Sequence, residues 1–217
     1  RAAAAPALWA RALHYGARIA ALPFVRMVAV TGALAVDNSD PGDDLDYLIV
    51  TAPDRLWLCR AIIVGLARLA RRRGDVICPN YMLSERALAL DSRSLYTARE
   101  VAQMVPLAGL ATYHRLRQLN AWVSDYLPNA ASAPRTLSVP EPSFVRLRST
   151  LEALLRTPPA GALERWEMRR KIHKLTAEHA ASADSDEIGF GPDYCKGHFG
   201  GHGRKTLAAF NQRHIVL

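Results

Sequence analysis

Residues 31–51 read TGALAVDNSDPGDDLDYLIVT, with five aspartates between positions 37 and 46. A solvated loop accounts for the acids in DNSDPGDD. It does not account for Asp46, set between Leu45 and Tyr47 at the head of LDYLIVT, where a bare carboxylate is costly to bury. Asp44 and Asp46 are two residues apart, so on a strand both side chains leave the same face. Adjacent carboxylates repel unless a cation lies between them, and a pair of hard oxygen donors suits Mg²⁺. Upstream, VRMVAVTG predicts a buried strand closed by Gly32, a residue that lets backbone come close to a ligand. A strand, a glycine turn, an acidic loop and Asp-x-Asp on a second strand together suit Mg²⁺ and a triphosphate.

Working outward, residues 7–21 predict a helix ended by Pro23, and a helix from Asp54 runs to the RRRG stop at Gly74. VICPNYML (76–83) reads as a third strand and RALALD (86–91) as a short fourth. A helix beginning at TAREVAQ is interrupted by Pro106, and residues 108–127 read as one long helix. The Pro/Ser/Ala-rich stretch 128–142 is a linker, followed by two helical segments and a glycine-rich tail with a last short helix near 206–213. Strands gather before residue 92 and helices follow. The expected class is therefore α+β, with an αβ domain over 1–105 and a mostly helical part over 106–217 that carries a basic Gly/His-rich tail.

In this order the sequence resembles the DNA polymerase β-like nucleotidyltransferase superfamily. Its signature is a Gly-Ser or Gly-Gly turn, about ten residues, and then Asp-x-Asp or Asp-x-Glu in an apolar strand. Gly32-Ala33 stands at the turn and DDLDYLIV supplies Asp44 and Asp46, and the resemblance covers residues 24–91. It implies that Asp44 and Asp46 hold Mg²⁺, or Mn²⁺, against the phosphates of an NTP, ATP first among them. It also implies transfer of a nucleoside monophosphate to an acceptor hydroxyl or phosphate, with release of pyrophosphate. The alternative is a nucleotide- or RNA-binding module on the same fold without turnover. Two departures stand out. Ala33 lacks the hydroxyl of the usual serine, and the third carboxylate is not evident. Asn80 ranks first for that place by position and Asp91 second by charge, with Asp75 a further alternative.

The remaining motifs are weaker. Lys196, His198, His202, Arg204 and Lys205 sit among glycines and read as an anion site, with Lys196 and Arg204 facing the nucleotide. Cys195, His198 and His202 have a zinc-like spacing, but no second ligand pair precedes them. Arg165, Arg169, Arg170, Lys171 and Lys174 form the basic face of a helix that turns Met168, Ile172 and Leu175 inward. The net charge of +8 fits a polyanionic partner. Three cysteines are too few for a secreted disulfide framework, so a cytoplasmic, reducing setting is expected, and Cys59 and Cys78 read as inert packing residues. The most apolar span, 56–70, is broken by Arg60 and Arg68, so it predicts a buried helix rather than a membrane crossing.

Overall fold

Residues 27–30 and 47–50 are continuous buried apolar runs, which is the pattern of a sheet covered on both faces. The computed structural model describes residues 5–130, 137–139, 145–179 and 188–197. In chain order the elements are α1 (Ala5–Ala20), β1 (Val25–Val30), α2 (Gly32–Ala35), β2 (Leu45–Thr51), α3 (Leu56–Arg71), β3 (Ile77–Ser84) and α4 (Leu95–Gln103). They continue with β4 (Val105–Ala108), α5 (Leu110–Leu119), α6 (Val123–Tyr126), α7 (Val145–Leu154), α8 (Pro158–His179), β5 (Ile188–Phe190) and β6 (Tyr194–Gly197). The fold is α+β, built on one mixed sheet in the order β4-β1-β2-β3-β6-β5. Among the described strands only β2 and β3 pair in parallel, and α3 is the crossover that such a pair requires.

Along β2, Tyr47 and Ile49 face one layer while Leu48 and Val50 face the other. The first layer packs Leu8, Ala12 and Ile19 of α1 with Cys59 and Ile63 of α3 and Leu175 of α8. The second packs Val101 of α4, Tyr113 and Leu116 of α5 and Val123 of α6. As the sequence predicts, Met168 and Ile172 of α8 also turn toward the first layer. Among the described residues no helix is long and apolar enough to cross a membrane.

Four expectations are corrected, each for a local reason. Residues 86–91 form no strand, because the buried side chain of Asn120 takes their backbone groups. Its Oδ1 accepts from Leu90 N–H at 2.9 Å, and its Nδ2 donates to Leu88 C=O at 2.7 Å. The helix expected over 108–127 is split into α5 and α6 around that same asparagine. Asp54 does not cap α3: it has φ +59°, and Arg55 is the cap position. The acid that serves the α3 N-terminus is Glu164 of α8, whose two oxygens accept from Trp57 and Leu58 N–H at 2.8 Å each. Finally, strands do not stop at residue 92. Pro106 does not interrupt a helix but lies in β4, an edge strand, where a missing N–H is tolerated. Its carbonyl accepts from Leu137 N–H at 3.3 Å. The sheet thus draws β4, β5 and β6 from the chain beyond α4. The short helix expected near 206–213 lies outside the described residues.

Helix α7 is tied to β1 by one carboxylate. Glu152 accepts from Phe24 N–H at 2.7 Å and from both terminal nitrogens of Arg26, at 2.9 and 2.8 Å. The Arg26 hydrogen bonds, helped by Phe24 N–H and Arg148, hold its carboxyl at about 2. Set against an unfolded value of about 4.3, that depression contributes about 3 kcal/mol, fully present above pH 4.3 and lost as pH falls through about 2. Glu152→Gln is therefore expected to lose about 3 kcal/mol at pH 7 by denaturant titration. The gap to the parent should close as the titration is repeated toward pH 2.

Candidate metal centre and its surroundings

The five aspartates of the opening motif divide by partner. Asp37 accepts from Trp9 Nε1 at 2.7 Å, and Asp43 accepts from Asp40 N–H at 2.8 Å, so these two shape the loop. Asp44 ends the loop exposed, and Asp46 follows it at the start of β2, largely buried. Thr31 N–H bonds Asp46 C=O at 3.0 Å, which locks the end of β1 beside the start of β2. The chain then turns at Gly32, with φ +67°, into α2. A Cβ on Gly32 would overlap Oδ2 of Asp46, so the glycine is required by the carboxylate behind it as well as by its backbone angle. Ala33 lies exposed in the first turn of α2, where helix N–H groups have no intrahelical acceptor.

One oxygen each of Asp44 and Asp46 and the sulfur of Cys78 lie within 4.8 Å of one another. Cys78 stands opposite Asp46 in the β2–β3 register. It is therefore not the inert packing residue its apolar neighbours predict, but a third member of the acidic cluster. Burial, then the charges of Asp46 and Asp44, push its thiol up to about 12, so it is a neutral thiol at pH 7. Asn80, the first choice for the third ligand position, donates from Nδ2 to Asp46 Oδ1. Asp91 is exposed and outside the cluster. Asp75 is held on the other side of the sheet by Tyr15 Oη at 2.7 Å and Arg11 at 3.0 Å.

Burial pushes the Asp46 carboxyl up to about 8, with the charges of Asp44 and then Glu100 adding to it and the Asn80 hydrogen bond opposing. This is the electrostatic state of a buried acid that a nearby cation would relieve. Two carboxylates with a neutral thiol and an amide are an oxygen-dominated donor set, which fits a hard divalent ion such as Mg²⁺ or Mn²⁺ better than a thiolate-seeking one.

Glu100 is the acid the sequence reading missed. It projects from α4 three residues after the buried Thr97 and one before the buried Val101. An acid with that helical phase on an otherwise apolar face was the available signal. Burial pushes its carboxyl up to about 7, with Arg99 and Lys196 pulling the other way. A narrow cleft of about 20 Å³, room for about one water, is lined by Thr31, Leu48, Tyr81, Tyr96, Glu100 and Lys196. Lys196 enters on β6 opposite Tyr81, its ammonium 6.0 Å from the ring centroid. Arg204, His198, His202 and Lys205 lie outside the described residues. Cys195 is buried in the first core layer, where burial raises its thiol and Arg60 opposes this.

No family model, curated protein or solved structure matches this chain. The chemistry of the site must be read from its own residues.

Proposed function

We propose that the chain is a nucleotidyltransferase of the polymerase β-like kind, moving a nucleoside monophosphate from an NTP, ATP first among candidates, to an acceptor oxygen. The observation that carries this reading is the fit of Gly32 against the buried Asp46 carboxylate, which joins the glycine turn and the acid pair in one site. Asp44 and Asp46 would hold Mg²⁺ or Mn²⁺, with the Asn80 amide steadying Asp46. A divalent ion held there neutralises phosphate charge and lowers the pKa of an attacking oxygen. The first-turn N–H groups at Gly32 and Ala33 would receive phosphate oxygens, which needs no serine hydroxyl. Lys196 offsets the negative charge of this face, and Arg204 keeps the nucleotide-binding role read from the sequence. The acceptor oxygen bonds to the α-phosphorus, the bond to the bridging oxygen breaks, and pyrophosphate leaves. The proton of the acceptor passes to Glu100, whose carboxyl at about 7 is matched to that task.

Asn80 favours a second reading. A neutral amide beside Asp46 leaves the pair one charge short, which suits a module that binds nucleotide without turning it over. Incubation with each of the four NTPs and Mg²⁺ or Mn²⁺, with mass spectrometry of products, separates the two. Pyrophosphate release supports transfer, tight binding without release supports the module, and neither outcome together with no metal-dependent binding rejects both.

Glu100→Gln is expected to lower kcat about 100-fold while metal and NTP binding are retained, the metal binding somewhat tighter because Asp46 loses a like charge beside it. The parent's rate should rise with pH through about 7 as Glu100 loses its proton, and the variant should lack that limb. An unchanged rate and pH profile would remove Glu100 from the reaction.

A further inference from the structure

A groove of about 300 Å³ lies between α3 and the β3–β6 pair, lined by Arg60, Val64, Arg68, Arg71, Cys78 and Gly197 among others. Arg60, Val64, Ala67, Arg68 and Arg71 recur at helical spacing, so three guanidinium groups form one stripe along α3. Over eleven residues that stripe is about 16 Å long, more than a single phosphate ion can cover. Basic residues at the end of α3 also complement the helix dipole, which explains Arg68 and Arg71 singly but not Arg60, in the first turns. Arg60 is half-buried, and its Nε is buried with no hydrogen-bond partner among the described residues. Its guanidinium stacks over the fully buried Trp57, 5.8 Å from the ring.

Positive charge continues onto α8, which packs against α3. Lys171 is half-buried there, and its ammonium is held below the usual value by burial and then by Arg170, with Arg60 and Lys174 adding to the effect. Burial is the largest cause, and Glu167 opposes part of the effect of the surrounding cations. Glu167, which is buried on α8, is also paired with Arg170 at 2.7 Å.

We infer that this groove binds consecutive phosphate groups of a ligand along Arg60, Arg68 and Arg71. Cys78 lines the groove and also stands beside Asp44 and Asp46, so the groove and the acid pair are neighbours. The inference does not rest on the transfer reading, because the arginines need no metal to bind phosphate. The same chemistry is offered by a free polyphosphate, including the triphosphate of an NTP, and by a single-stranded RNA backbone.

The test uses the full chain in EDTA, so that the metal centre contributes nothing. Inorganic tripolyphosphate is titrated by calorimetry and a labelled single-stranded oligoribonucleotide by fluorescence anisotropy. At least one probe should bind the parent and the Asp46→Asn variant alike, and the one that binds identifies the source. The double variant R68Q/R71Q changes two exposed side chains, and circular dichroism checks its fold. It should weaken binding at least tenfold and, for RNA, lower the salt slope by about 1.4, the share of two ion pairs on a single strand. Equal binding by parent and double variant, or binding of neither probe, overturns the inference.

Discussion

Asp46→Asn is expected to abolish metal-dependent turnover, by more than about 100-fold, and at the same time to make the metal-free protein more stable at pH 8. Both effects come from one carboxylate. Its folded value of about 8 lies above the unfolded value of about 3.9, so its stability contribution is full below pH 3.9 and is lost as pH rises through about 8. Asparagine keeps an oxygen for the Asn80 amide and removes the buried charge. Thermal melts in EDTA should show the variant about 5 °C or more above the parent at pH 8, and the gap should close toward pH 4. In Mg²⁺ or Mn²⁺ the order should reverse, because only the parent gains stability from the ion. If the two proteins melt alike at pH 8 in EDTA, Asp46 is not the strained acid described. If both gain equally from the ion, it is not a ligand.

Gly32→Val should remove activity nearly as completely, by another route. The valine would have to adopt φ +67° and also occupy the space of Asp46 Oδ2. The carboxylate must turn away, so metal affinity and phosphate binding fail together. Ala33→Ser, on the exposed side of the same turn, should retain the parent's affinity or tighten it by adding a donor. Calorimetry of the metal–NTP complex distinguishes these outcomes. Full binding by Gly32→Val would show that the turn and the acid pair do not form one site.

The elements legible in the sequence were those whose signal is local. LDYLIVT is a strand in the structure over the residues its apolar run predicts, and α1 and α3 follow from helical spacing and breakers. The closeness of Asp44 and Asp46 was legible too, because period-two geometry fixes it. What could not be read depended on distant partners. RALALD has the composition of a strand, but Asn120 supplies its hydrogen bonds from 30 residues away. Asp54 looks like a cap, yet the capping acid arrives from α8, 107 residues after the Trp57 N–H it accepts from. β5 and β6 have only three and four residues, too short for any periodicity to register. Cys78 reads as a packing residue and Glu100 went unread, because the acids near each in space come from other elements. A polar partner across a sheet leaves no mark on the chain that receives it.

The pairing of β3 with β6 also has a consequence for the order in which the molecule comes into being. Ser84 at the end of β3 bonds Asp193, just before β6, across 109 residues of chain. During synthesis the glycine turn, the acid pair and β3 all leave the ribosome long before Lys196 exists. Until then β3 is an open edge beside Asp44, Asp46 and Glu100, and Lys196 does not yet balance them. Closing so long a loop is slow, so the interval is not brief. The nascent domain thus passes through a stage in which its acidic face is exposed and electrostatically incomplete. Joining of β6 ends that stage by covering the edge and bringing in the lysine in one event.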